Sequence, residues 1–276
     1  MTQINIYIIL KYSLPVVYLA TSFFYWQDFN FRISKTKRRS TIMVIVLLFL
    51  HGFYFILQTY ELKRLPLATF QEAISTFVLI EALLYFILER KINEKSIGTF
   101  IFPFLTVLIL ITVFLSENPN QINPVLFKIG FELHVLAMLI AYSGFTQSFM
   151  ASVLFLQLSN QLQKHKSGLF YRRVPSLKFF NRISNYAMNA GIVFSFIGMM
   201  LGSYFGYRVW NFAVLSDPKV LMVFAIWFIY LLHYILRKAG KLPSKAAAYL
   251  SVAAYGSLIL SVVLIATTIS SLHHFN

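Results

Sequence analysis

Apolar residues run along this chain in long unbroken blocks, separated by short polar and basic clusters. The blocks cover roughly 4 to 26, 41 to 58, 67 to 88, 98 to 115, 126 to 158, 183 to 206, 219 to 236 and 246 to 272. A helix needs about 20 apolar residues to cross the hydrocarbon core, so this pattern predicts an all-α membrane protein with eight transmembrane helices. The fifth block is long enough to project beyond the bilayer. Apolar and polar positions do not alternate, which argues against a β-barrel. There is no repeat at fixed period and no low-complexity tract, so residues 1–276 read as a single polytopic membrane domain. The first block starts a few residues after Met1 with no basic n-region and no small-residue cleavage site. It therefore reads as a retained span and not a signal peptide.

The charges give the spans a direction. Arg32, Lys35, Lys37, Arg38 and Arg39 follow the first block, and Arg90, Lys91 and Lys95 follow the third. Lys164, Lys166, Arg172, Arg173, Lys178 and Arg182 follow the fifth; Arg237, Lys238, Lys241 and Lys245 follow the seventh. The alternate loops hold only Lys63, Arg64, Lys128, Arg208 and Lys219. The positive-inside rule then places both termini on the outer side of a multi-pass protein of the cell (plasma) membrane. The net charge of +15 is thus mainly a topology signal. No aromatic-interleaved basic patch accompanies it, so no nucleic-acid partner is implied. The longest polar stretch, "SNQLQKHKSGLFYRRVPSLKFFNR", is basic and amphipathic, as expected of a segment lying along anionic headgroups of the lipid bilayer.

Composition narrows the chemistry. Residues are 58% apolar and 12% charged, with mean hydropathy +0.71, which leaves no room for a large soluble domain. Cysteine is absent, so no disulfide, thiolate metal site or cysteine nucleophile belongs to this chain. Histidines become the strongest candidate ligands. His134 falls near the outer start of the fifth block, and His273 and His274 at the outer end of the eighth. Two imidazoles from facing helices can ligate a haem iron axially; interfacial histidines can equally well snorkel. His51 and His233 lie within the second and seventh blocks, where an ionisable residue is costly and is by default a functional hypothesis. His165 lies in the basic loop and reads as solvated, and Lys11 can snorkel.

Glu81 is the one carboxylate deep within a block, and it needs a partner. An imidazole N–H from His233 or His51 would satisfy it, as would protonation and a bond to a backbone carbonyl. The outer loop "GYRVWNFAVLSDPKVLMVF" offers Trp210, Phe212 and Arg208 to cover and pair with a flat aromatic ligand bearing carboxylates. Ser216 or Asp217 before Pro218 can cap the following helix. No Walker loop, GxGxxG turn, GxSxG elbow or HExxH helix occurs, so the chain carries no self-contained enzyme signature.

In this order the segments resemble the cytochrome c assembly family of membrane haem-handling proteins, of the CcsA/ResC type, and come closest to its HemX-like members. "RLPLATFQEAIS", Arg64 to Ser75, is similar to the family's G-x-F-P-L-x-N-x-x-E-S segment at Pro66, Leu67 and Glu72. "LHVLAMLIAYSGF" resembles the helix whose outer histidine is an axial haem ligand, a role the resemblance puts on His134. "VPSLKFFNRISNYAMNAGIVFSFIGMMLGSYFG" and "SDPKVLMVFAIWFIYLLHYILR" are similar to the segments that flank the family's tryptophan-rich outer loop, and "SSLHHF" resembles the terminal G-L-H-S-Y, carrying the second outer ligand to His273. In the loop only Trp210 remains, Ser216 stands for the Trp before Asp217, and Val220 for a Glu. His233 stands two residues before the family's membrane histidine.

The resemblance implies a haem carrier or assembly subunit, with no catalytic nucleophile of its own. Haem b would be held between His134 and His273, and the loop carrying Arg208, Trp210 and Asp217 would cover it. His233, with His51, would form an inner site. The implied partners are a membrane assembly subunit or an apocytochrome c. A HemX-like member would instead control glutamyl-tRNA reductase. A third reading, a proton-coupled small-molecule transporter relaying protons through Glu81 and His233, lacks the inverted repeats such folds carry.

Overall fold

The structure is a computed structural model describing residues 2–31, 34–115, 127–165, 168–210 and 218–268. Among these residues every regular element is a helix and no strand occurs. In chain order they are α1 (Thr2–Phe31), α2 (Ser34–Leu62), α3 (Phe70–Ile92), α4 (Gly98–Phe114), α5 (Ile129–Gln163), α6 (Leu169–Arg173), α7 (Leu177–Trp210), α8 (Pro218–Lys238) and α9 (Ser244–Thr268). Among the described residues seven segments are long and apolar enough to cross a membrane: Ile6–Phe31, Arg39–Leu62, Phe70–Ile92, Ile129–Gln163, Leu177–Arg208, Val220–Lys238 and Ser244–Leu264. The remaining apolar helix, α4, is shorter at 17 residues.

Each predicted block overlaps a helix, but the ends differ: α3 begins at Phe70 against 67, while other helices outrun their blocks. α2 begins at Ser34, where the apolar pattern begins at 41, and α7 begins at Leu177 against 183. Lys and Arg are good helix formers, so the backbone stays helical through the basic clusters after the apolar signal stops. The inner basic stretch also contains a short helix, α6, that periodicity does not reveal.

The chain divides into two compact units, the first made of Met1–Ser143 with Ser167–Pro175, the second of Gly144–Lys166 with Ser176–Asn276. In the first, α1 packs on α2 and α4, and α3 packs on α2 and α4, which closes a four-helix ring. Its interior is rich in tyrosine: Tyr18, Tyr25 and Tyr85 are buried beside Phe102, Leu105 and Ile109. Gly98 opens α4 against the rings of Tyr25 and Tyr85, where a Cβ would overlap both. The helix faces turned outward carry Val16, Phe49, Ile56 and Phe114, as lipid contact requires.

The second unit is joined through small residues and hydroxyls. α8 packs on α7 and α9. A Cβ on Gly144 of α5 would stand 2.8 Å from the Ala187 carbonyl oxygen of α7, and one on Gly191 would stand 2.6 Å from the Phe145 ring, so both glycines are needed for the close approach of these backbones. Ser148 contacts Ser184 and Ser251, each at 3.1 Å, and Ser152 contacts Ser184 at 2.9 Å, linking α5, α7 and α9. Thr146 adds a 2.9 Å bond to the Tyr255 hydroxyl.

Candidate functional site

His51 sits on α2 inside the first unit and is 1% exposed. Its Nδ1 lies 2.8 Å from the hydroxyl of Tyr18 on α1, and its Nε2 lies 3.1 Å from Oγ of Ser75 on α3. A neutral imidazole has one donor and one acceptor nitrogen, and both are engaged. His51 thus fastens three helices together. To ligate a metal it would have to release one hydroxyl inside an apolar ring. Glu81, 0% exposed on α3, is not its partner.

Toward the C-terminal end of α3, Glu89 forms a polar knot that the sequence did not flag. Its carboxylate accepts from the hydroxyls of Tyr25 and, at 2.8 Å, Tyr85, and Lys95 Nζ stands 3.9 Å away. Lys95 also donates to Ser40 at 3.3 Å and to Thr41, and Ser40 donates to the buried Asp28. The i, i+4 spacing of Tyr85 and Glu89 was the available signal.

At the other end of α3 a second ionic cluster forms around Glu72. Thr69 and Glu72 make a reciprocal capping box, with Glu72 N donating to Thr69 Oγ1 at 3.2 Å and Thr69 N to Glu72 Oε2 at 3.3 Å. Arg64 grips the same carboxylate with two nitrogens at 2.7 and 2.8 Å, with side-chain exposures of only 7% and 10%. The Arg64 guanidinium also lies 4.9 Å from the Phe127 ring centroid, and Leu65 N donates to Glu132 of α5 at 2.9 Å. His134 follows two residues later. It is half-buried, with its ring 6.0 Å from that of Phe131.

In the second unit His233 of α8 is 0% exposed, and neither ring nitrogen has a hydrogen-bond partner among the described residues. The hydroxyl of buried Tyr230, one turn earlier, is in the same state although its ring stacks on Phe145 at 3.8 Å. One turn later Arg237 donates to the Asn181 carbonyl at 2.9 Å and to its side-chain oxygen, and shares a small cleft with Ser152 and Ser184. An orphaned buried imidazole fits an axial haem ligand better than a satisfied one does. Of the two imidazoles expected to bond Glu81, His51 is engaged elsewhere, on Tyr18 and Ser75.

The remaining sequence candidates are dispersed. Arg208 is exposed and lies over the Tyr204 ring at 5.3 Å. Trp210 ends α7, and its side chain lies outside the described set. Phe212, Ser216, Asp217, His273 and His274 lie outside the described residues. His165 sits in a turn just after α5 with φ 51°. Among the described residues no three His, Asp or Glu gather as a metal cluster.

Helices of this length and composition, with buried histidines and a polar interior, define an integral membrane protein. Residues 67–273 match the family described as cytochrome C assembly protein, and the chain belongs to that family. It is a multi-pass membrane protein. It is also 23% identical over 265 residues to Protein HemX of Bacillus subtilis (strain 168), a match covering 95% of each chain.

Proposed function

We propose that this protein binds haem b through histidine and holds or relays it for cytochrome c biogenesis. The orphaned, fully buried imidazole of His233 carries this reading, because an unsatisfied polar ring in a membrane core is expensive unless something coordinates it. In this reading α4 also crosses the bilayer, which gives eight spans with both termini outside. His233 ligates haem at an inner site, with His51 as a helix fastener that joins only by exchanging a hydroxyl. His134 and His273 ligate at an outer site, covered by the segment carrying Arg208, Trp210 and Asp217. Two neutral imidazoles on one iron fill both axial positions and leave oxygen no place to bind. The chain has no thiol, so thioether formation falls to an apocytochrome c and a membrane assembly partner.

The visible spectrum of detergent-purified protein tests this. Split α and β bands on reduction are expected, diminished in His233→Ala and again in the His134→Ala, His273→Ala pair. Bands unchanged in both the single and the paired variant would remove the histidine assignment.

A second reading is favoured by the full-length match to HemX and by the single tryptophan left in the outer loop. In it the protein is a membrane regulator of glutamyl-tRNA reductase abundance. Co-purification with that reductase, and altered reductase levels on deletion with normal cytochrome c, would select this reading over the first.

A further inference from the structure

We propose that Arg64, Glu72 and Glu132 form a clasp that positions His134, which makes all three positioning residues for the outer ligand. The proposal rests on the reading of His134 as a haem ligand.

Three contacts converge on the segment between α2 and α3. The guanidinium fork of Arg64 holds the Glu72 carboxylate with two near-parallel bonds, so loop and α3 share one orientation. The same guanidinium donates to Leu65 O at 3.0 Å and lies 4.9 Å from the ring centroid of Phe127, just before α5. From the other side Glu132 reaches back from the first turn of α5 to accept Leu65 N–H. Thr76 donates to Pro66 O at 3.0 Å and Ala68 N to Glu72 at 2.9 Å, so the segment is also fixed to α3.

α3 already has its cap in Thr69, and a helix start needs no buried arginine fork to be stable. What the extra groups add is a fixed azimuth for α5. Residues two apart on a helix differ by about 200° in direction and about 3 Å in height, so fixing Glu132 against Leu65 fixes where position 134 points. An axial ligand tolerates little misplacement, and supporting hydrogen bonds commonly set its orientation. Lysine cannot replace Arg64 here, since it lacks the fork that holds both oxygens of Glu72.

The absence of native cysteine allows a direct test. Spin labels on Tyr60→Cys, on the exposed end of α2, and His134→Cys report the placement of residue 134 with no haem present. A single narrow distance peak is expected, lost in Glu132→Ala and Arg64→Ala, broadened in Arg64→Lys, and kept in Glu132→Gln, whose amide oxygen still accepts Leu65 N–H. In the protein with His134 intact, Glu132→Ala is expected to shift the midpoint potential of the His134-dependent haem signal, and Glu132→Gln to restore it. A peak unchanged in Glu132→Ala and Arg64→Lys overturns the clasp, as does a lost peak with an unchanged potential. Loss of the peak in a protein whose parent shows no His134-dependent haem supports the clasp and refutes only the ligand reading.

Discussion

The two buried histidines among the described residues face opposite circumstances. His51 has a hydroxyl on each ring nitrogen, drawn from the helices on either side of its own. His233 is as deeply buried and has none among the described residues. The first is a finished structural joint. The second is the imidazole on which the proposed haem site rests, with no hydrogen-bond partner for either nitrogen among the described residues. Burial of an ionisable side chain between helices therefore does not by itself separate glue from function. What distinguishes these two is the state of both nitrogens.

Substitutions can break or sharpen that contrast. The largest effect is expected for His51→Leu, which strands the buried Tyr18 hydroxyl and Ser75 Oγ together. At about 1–3 kcal/mol for each unsatisfied group, the first unit should lose about 2–6 kcal/mol, read as a lower thermal midpoint in detergent. Next comes Gly144→Val, which presses side-chain atoms onto the Ala187 carbonyl. Overpacking of this kind costs about 1–3 kcal/mol, and it should loosen the second unit, seen as faster proteolysis there, while leaving His51 in place. Tyr18→Phe leaves one nitrogen of His51 unpaired, an imitation of His233 in the first unit; a loss of about 1–2 kcal/mol is expected, with a changed Nδ1 nitrogen shift of His51 by NMR. Ser184→Ala breaks two hydroxyl contacts and should cost about 0.6 kcal/mol for each, a small downward shift in midpoint. The smallest effect belongs to His233→Leu in haem-free protein. It removes a polar ring with nothing to lose, so stability should hold or rise slightly; a loss as large as that of His51→Leu would show that His233 has structural partners after all.

The helices were legible because lipid enforces long apolar blocks, and every block marks one. Their ends were not. α2 and α7 run on through lysine and arginine, whose helix propensity has no hydropathic signature. The candidate site was legible as residue types and illegible as pairings. His51 and Glu81 stood out as ionisable groups in apolar surroundings, yet nothing in the sequence chose Tyr18 and Ser75 as the partners of His51, since tyrosine and serine are unremarkable in a span. Glu132 and Leu65 lie 67 residues apart, and only the folded chain brings them together. Glu72 stood out through its family segment, while its capping of α3 was within reach of the Thr69 to Glu72 spacing.

The serine seam of the second unit has an electrical consequence. A hydroxyl offers one hydrogen and two lone pairs, so each of Ser148, Ser152, Ser184 and Ser251 can reverse which neighbour it donates to by rotating a single bond. No heavy atom moves when it does. α5, α7 and α9 are thereby held by a joint that is mechanically stiff but free to repolarise, with Arg237 lining the cleft at one end. A charge that appears or disappears beside such a joint meets dipoles that turn to follow it, while the helices stay where they are.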